Sequence, residues 1–189
     1  MKKIIFFMAV ILAGFTGCYK NIPLEVPVIQ AGLKVVPLDE SVLSQEEGDI
    51  IVTAHVKKGS YVLSPRTDED RYTFILLIND KELIESVKGN EATESDMHEE
   101  EGEGIHYTFK KRLRLKPGEY SISLKTEDVK TPPFNIQLTG GKLYTLRFEP
   151  VYGPVKIGTK KSFQHGVSHS FWQGVRDFNV YLNDVIFKE

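Results

Sequence analysis

From Asp49 onward, apolar and polar residues alternate with a period of two. Ile50, Val52, Ala54 and Val56 alternate with Ile51, Thr53, His55 and Lys57, the pattern of a strand with one face on a core. Residues 72–79 are almost continuously apolar, which predicts a central strand covered on both sides. Ile105, Tyr107, Phe109, Leu113 and Leu115 alternate with His106, Thr108, Lys110, Arg112 and Arg114. Lys111 breaks that run, so an edge position or a bulge is expected there. Further inward faces are Tyr120, Ile122 and Leu124; Phe134, Ile136 and Leu138; Tyr144, Leu146 and Phe148; and Phe178, Val180 and Leu182. Lys57-Lys58-Gly59-Ser60, Lys116-Pro117-Gly118-Glu119 and Thr139-Gly140-Gly141-Lys142 separate the runs with turn chemistry. The pattern predicts an all-β chain, an antiparallel β-sandwich over residues 48–189.

The first residues follow another rule. Met1, Lys2 and Lys3 precede an unbroken run of small and apolar residues over 4–14, and Phe15-Thr16-Gly17-Cys18 follows. A basic start, a short apolar stretch and small residues before a cut site define a secretory signal peptide. The apolar run is too short to cross a bilayer, which takes about 20 residues. The segment resembles a bacterial lipoprotein signal, whose lipobox reads aliphatic residue, small residue, Gly or Ala, then Cys. Thr16, Gly17 and Cys18 match it, while Phe15 stands where Leu is usual. The resemblance implies that a helical signal peptide, residues 1–17, is cleaved off. It also implies a diacylglycerol thioether on Cys18 and an acyl chain on its new amine. Each buried CH₂ contributes about 0.8 kcal/mol, so two or three chains make a lasting membrane anchor. In the enterobacterial sorting pattern an Asp after the Cys retains a lipoprotein in the inner membrane. Tyr19 follows here, so the resemblance implies a bacterial envelope location, with the outer membrane favoured where there are two.

Residues 18–47 carry the anchor and a tether in which Pro23, Pro27 and Pro37 recur, which favours extended chain. Alternatively, residues 26–29 or 33–36 pair onto the body as an edge strand, where proline is tolerated. The stretch from Leu115 through Lys116-Pro117-Gly118-Glu119-Tyr120 to Leu124 is similar to the L-x-P-G-x-Y-x-hydrophobic turn of PEGA-like modules. That resemblance, over residues 72–148, implies an immunoglobulin- or prealbumin-like sandwich. It implies no particular activity, because such modules share shape alone. The insertion at 90–104 departs from it.

Composition narrows the function. The 189 residues hold 24 Lys+Arg and 26 Asp+Glu, a net charge of −2. Without a basic field, no nucleic-acid partner is expected. The single cysteine, Cys18, allows no intrachain disulfide and, once lipidated, leaves no thiol nucleophile. Gly166-Val167-Ser168-His169-Ser170 ends in Ser where a nucleophile elbow needs Gly. The stretch from Gly153 to Lys160 has Thr159 where a phosphate loop needs Lys. His98-Glu99-Glu100-Glu101-Gly102 lacks the second His of a zinc helix. No catalytic residue, no metal ligand and no cofactor other than the covalent lipid is expected.

Three features remain as candidates for contact. Glu91, Glu94, Asp96, Glu99, Glu100, Glu101 and Glu103, with His98 among them, make the insertion a mobile, solvated loop by mutual repulsion; calcium or a partner are the alternatives. Lys110, Arg112 and Arg114 share one strand face, expected to point outward and to be partly neutralised by that loop, with anionic lipid as the alternative. Phe163, His165, His169, Phe171 and Trp172 are the candidate contacts for an envelope protein or glycan; in the alternative, the aromatics seal one end of the sandwich. Gly166-Val167 fits a tight hairpin turn that sets His165 opposite Ser168. The reading is a lipid-anchored, non-catalytic binding or scaffolding module, an accessory subunit of an envelope assembly. A structural lipoprotein without a discrete ligand is the alternative, and a metal-dependent hydrolase comes last.

Overall fold

Alternation along each strand is resolved by stacking two sheets face to face. The computed structural model describes residues 33–40, 43, 45–59, 71–92, 95, 97–157 and 166–188. In chain order the strands are β1 (Lys34–Val36), β2 (Gly48–Gly59), β3 (Arg71–Ile78), β4 (Lys81–Lys88), β5 (Asn90–Ala92), β6 (Gly104–Leu115) and β7 (Gly118–Lys125). They continue as β8 (Phe134–Leu138), β9 (Leu143–Tyr152), β10 (Pro154–Ile157), β11 (Gly166–His169), β12 (Val175–Leu182) and β13 (Val185–Lys188). The larger sheet runs β1-β6-β2-β9-β12-β13, with β5 also on β6, and the smaller runs β4-β3-β7-β8. β10 and β11 form a separate ribbon. All neighbours are antiparallel except β2 and β9, which pair in parallel. Residues 1–17, where a signal peptide is expected, and Cys18 lie outside the described residues, as do residues 26–29. Residues 34–36 do pair, as an edge strand on β6.

The chain changes sheet at the turns the sequence marks. Lys116 and Pro117 carry it from β6 to β7, and residues 139–142 return it from β8 to β9. Gly141 there has φ +69°, which glycine adopts without a steric penalty. Ile50, Val52, Ala54 and Val56 are fully buried. Rings join the sheets: Phe74 lies 5.7 Å from Phe109, Tyr72 lies 5.4 Å from Tyr107, and Phe134 lies 6.1 Å from Phe148, between centroids.

Several expectations are corrected. β3 buries Tyr72, Phe74, Leu76 and Ile78, but Thr73, Ile75 and Leu77 are only half-buried, so one of its faces lacks a covering layer. β2 and β6 pair without interruption from Gly48↔Leu115 to Gly59↔Gly104, so no bulge accommodates Lys111. Lys111 instead lies opposite Val52, on the core side, and its Nζ reaches Glu85 Oε2 of β4 at 2.9 Å. The sequence irregularity is thus an ion pair between sheets. The predicted turn at residues 57–60 is also displaced, because β2 continues to Gly59. Gly166 and Val167 form no tight turn; they are strand residues of β11, and Ser168 faces Val155 rather than His165.

The basic face is corrected too. Lys110 is exposed, but Arg112 and Arg114 are 4% and 8% exposed. Both turn onto Asp49, which is fully buried. Arg112 donates to Asp49 Oδ2 from Nε at 2.8 Å and Nη2 at 2.6 Å. Arg114 donates from Nε to Oδ1 at 2.8 Å and from Nη2 to Oδ2 at 3.0 Å. The segment after β1 closes over them: Arg112 Nη1 donates to the Glu40 carbonyl, and Arg114 Nη1 to Glu40 Oε1 at 3.2 Å. Asp49 and Glu40, not the acidic insertion, neutralise these arginines. Burial disfavours the Asp49 carboxylate, but the hydrogen bonds from Arg114 and Arg112 outweigh it and hold its pKa below the ordinary value. A depressed carboxylate pKa stabilises the fold above pH 3.8, and that stabilisation is lost as the pH falls below it.

Asp49→Ala leaves the buried Arg112 without a carboxylate and Arg114 with Glu40 alone. It is expected to cost about 3–5 kcal/mol in urea unfolding, whereas Lys110→Ala changes stability by less than about 0.5 kcal/mol. Equal effects of the two substitutions would contradict this account of the basic face.

Candidate functional site

The densest group of chemically capable side chains lies at the other end of β2, beneath the acidic insertion. β5 and β6 pair at Ala92↔Gly104 and so hold the ends of the insertion together. Within it a single 3-10 turn, His98–Glu100, is tied by Glu100 N to the Met97 carbonyl at 2.9 Å. This turn drives Glu100 into the protein, where it is fully buried. The expectation of a wholly solvated loop therefore fails at Glu100, although Glu101 and Glu103 are exposed. Glu94 and Asp96 lie outside the described residues.

The Glu100 carboxylate has two hydroxyl donors. Tyr152 at the end of β9 donates to Oε1 at 2.5 Å, and Ser95 donates to Oε2 at 2.7 Å. The Tyr152 oxygen accepts from the Lys57 backbone N–H at 2.8 Å, which joins β9, β2 and the insertion through one phenol. Burial and the adjacent carboxylate push the Tyr152 pKa far up, so it remains a donor. Lys57 bypasses the carboxylate. Its Nζ donates to the carbonyls of Glu100 at 2.5 Å and Gly102 at 2.6 Å, and sits 4.9 Å from the Phe171 ring centroid. Burial lowers the Lys57 pKa, against the opposing pull of Glu100. Gly104 makes room for this arrangement: a Cβ there would come within 2.6 Å of Lys57 Cε and 2.8 Å of the Lys58 carbonyl.

Two imidazoles complete the group. Lys57 and His106 are register partners, and His55 lies two residues before Lys57, so all three share one face. His55 Nε2 lies 3.5 Å from Glu100 Oε1, and His106 Nε2 lies 3.6 Å from Oε2. His55 also lies 3.3 Å from Met97 Sδ. His106 Nε2 is buried without a hydrogen-bond partner among the described residues. Burial lowers the pKa of both histidines, and the Glu100 charge opposes it only in part. Both are thereby neutral at neutral pH. Among the described residues no group of three or more His, Cys, Asp and Glu is placed to hold a metal ion.

The predicted contact residues divide. Phe163 and His165 lie outside the described residues. His169 is exposed at the end of β11. Phe171 is not available for contact: it is 2% exposed and belongs to the core, which the packing beneath Lys57 requires. Trp172 is 48% exposed, with its other face on Phe171 at 5.1 Å and over Gly59, where a Cβ would come within 2.2 Å of the indole. The described part of this end is thus half seal and half surface. Sequence reasoning missed Lys57, Tyr152 and Glu100 as partners. The one available signal was Lys57 continuing the alternation of β2, and Gly59 two residues on masked it as turn chemistry.

The fold places the chain among all-β sandwich proteins. No protein-family model matches it, and no curated protein or solved structure matches it either.

The two lowered imidazole pKa values fix a sign. Between pH 6.5 and the lower folded values, the unfolded chain binds more protons, so stability falls as pH drops below 6.5. Urea midpoints are expected to be lower at about pH 5.5 than at about pH 7.5, and the double variant His55→Gln, His106→Gln to flatten that dependence. An unchanged slope in the double variant would remove these histidines from the account.

Proposed function

We propose that the chain is a bacterial lipoprotein, fixed in the cell envelope by lipid on Cys18, whose sandwich is a non-catalytic binding or scaffolding module. The outer membrane is its favoured site where the cell has two. In this reading it serves an envelope assembly as an accessory subunit and uses no cofactor beyond the covalent lipid. The observation that carries the proposal is the run from Met1-Lys2-Lys3 through the apolar stretch to Thr16-Gly17-Cys18.

The body supports the reading in two ways. Lys57, Glu100 and Tyr152 bind one another and the insertion, so their polar atoms secure a loop. The accessible features suit contact with another macromolecule. His169 and Trp172 lie at one end, and β13 offers a sheet edge on which Val185, Ile186 and Phe187 are 68%, 42% and 47% exposed. The lipid fixes one terminus, the segment after Cys18 sets the reach, and the sheet edge or end loops meet an envelope protein or glycan.

The test is a mild-detergent pull-down of the wild type and of Cys18→Ala from native membranes, read by mass spectrometry. The wild type is expected in the membrane fraction with a defined partner, and Cys18→Ala in the soluble fraction with that partner lost or depleted. Membrane attachment unchanged in Cys18→Ala would defeat the anchor. A wild type that attaches but brings down nothing would defeat the accessory-subunit role and leave a structural lipoprotein. In the same assay Trp172→Ala is expected to deplete the partner, with an unchanged far-ultraviolet circular dichroism spectrum showing that the sandwich survives the loss of the packing on Phe171.

A further inference from the structure

At the end of the sandwich away from Glu100 lies a cavity of about 500 Å³. Leu33, Ile78 and Leu115, all buried, back it; half-buried Tyr120 and the methylene stems of the lysines supply its accessible apolar surface, and Lys34, Lys81, Arg114 and Lys116 ring it with positive charge. Its size suits a small amphiphile. Arg114 is committed to Asp49 and Glu40. Lys34, Lys81 and Lys116 are different: none has an ion-pair partner among the described residues, and all three are exposed. Glu47 is the one carboxylate in the lining, and Asn79 Oδ1 accepts from the Ser121 backbone N–H at 2.9 Å. Uncompensated cations around an apolar hollow specify a ligand with an anionic head and an apolar body.

We propose that this cavity binds the phosphate head and adjoining carbons of an anionic phospholipid. The Tyr120 ring and the lysine methylenes take the first carbons of the chains, and the ammonium groups of Lys34, Lys81 and Lys116 take the phosphate. Position supplies the source. Lys34 pairs with Arg114 at the start of β1, so Leu33, where the described residues begin, stands at this same end of the sandwich, 15 positions after Cys18 in the sequence. That the membrane supplies the ligand rests on the lipid anchor proposed above; the chemistry of the cavity does not. The lipid would hold the body upright on the surface to which Cys18 tethers it.

The test titrates the purified full chain, in neutral maltoside micelles, with four probes: dihexanoyl phosphatidic acid, dihexanoyl phosphatidylcholine, glycerol 3-phosphate and inorganic phosphate. Calorimetry reads the binding. Saturable binding of the phosphatidic acid is expected, weakened by salt and by about tenfold or more in the double variant Lys81→Glu, Lys116→Glu. Both lysines are exposed and outside the core, so the melting temperature without ligand should match the wild type. The neutral phospholipid and the two chain-free phosphates should bind at least about tenfold more weakly. No saturable binding of phosphatidic acid, or equal binding by the double variant, would overturn the site. Equal binding of inorganic phosphate would overturn the amphiphile and leave a simple anion site, and equal binding of phosphatidylcholine would overturn the role of charge. Membrane recovery of Cys18→Ala judges the anchor separately.

Discussion

The arrangement of the larger sheet depends on one carboxylate. Asp49 enters at the start of β2, where the strand meets β6 on one side and β9 on the other. Its side chain binds both arginines of β6, and its backbone N–H bonds the Lys142 carbonyl at 2.9 Å, just before β9 begins. A single residue therefore sets the relative position of three strands. Taking such charges from water costs several kcal/mol per ion, which only a full set of hydrogen bonds offsets. The Glu40 segment supplies the remaining acceptors, and this is why the chain after β1 is drawn across the outer face of the sheet.

The opposite end solves the same problem differently. There the outer face carries His55, Lys57 and His106, and the pairing of β2 with β6 sets no opposite charge beside them. The acidic insertion folds over them and contributes one carboxylate and two backbone carbonyls. The two ends are alike in burying a charged group through an excursion of the chain. They differ in solvent access, since His55 and His106 retain 24% and 19% side-chain exposure while Asp49 retains none.

The strands were legible because burial on one face of a sheet leaves a period of two, which Ile50 to Val56 and Phe134 to Leu138 keep faithfully. β4 left no such trace. On this edge strand Leu83 is buried, while Ile84 is 52% exposed and the rest is largely charged or polar. The polar clusters were illegible for a physical reason. Lys57, Glu100, Arg112 and Arg114 have the composition of a solvated surface, and their burial follows from pairings with residues far away in sequence. Lys111 shows the same limit: its departure from the pattern was visible, but its cause, Glu85, stands on the other sheet.

The parallel pairing of β2 with β9 has a consequence for how the molecule comes to exist. β2 stands early in the chain, yet both of its neighbours, β6 and β9, come much later. No local hairpin can shelter it in the meantime, and contacts so distant in sequence make folding slow. A chain emerging in order from a ribosome cannot complete its central strand until β9 has appeared. Until then the apolar face of β2 has no cover and is open to misassociation.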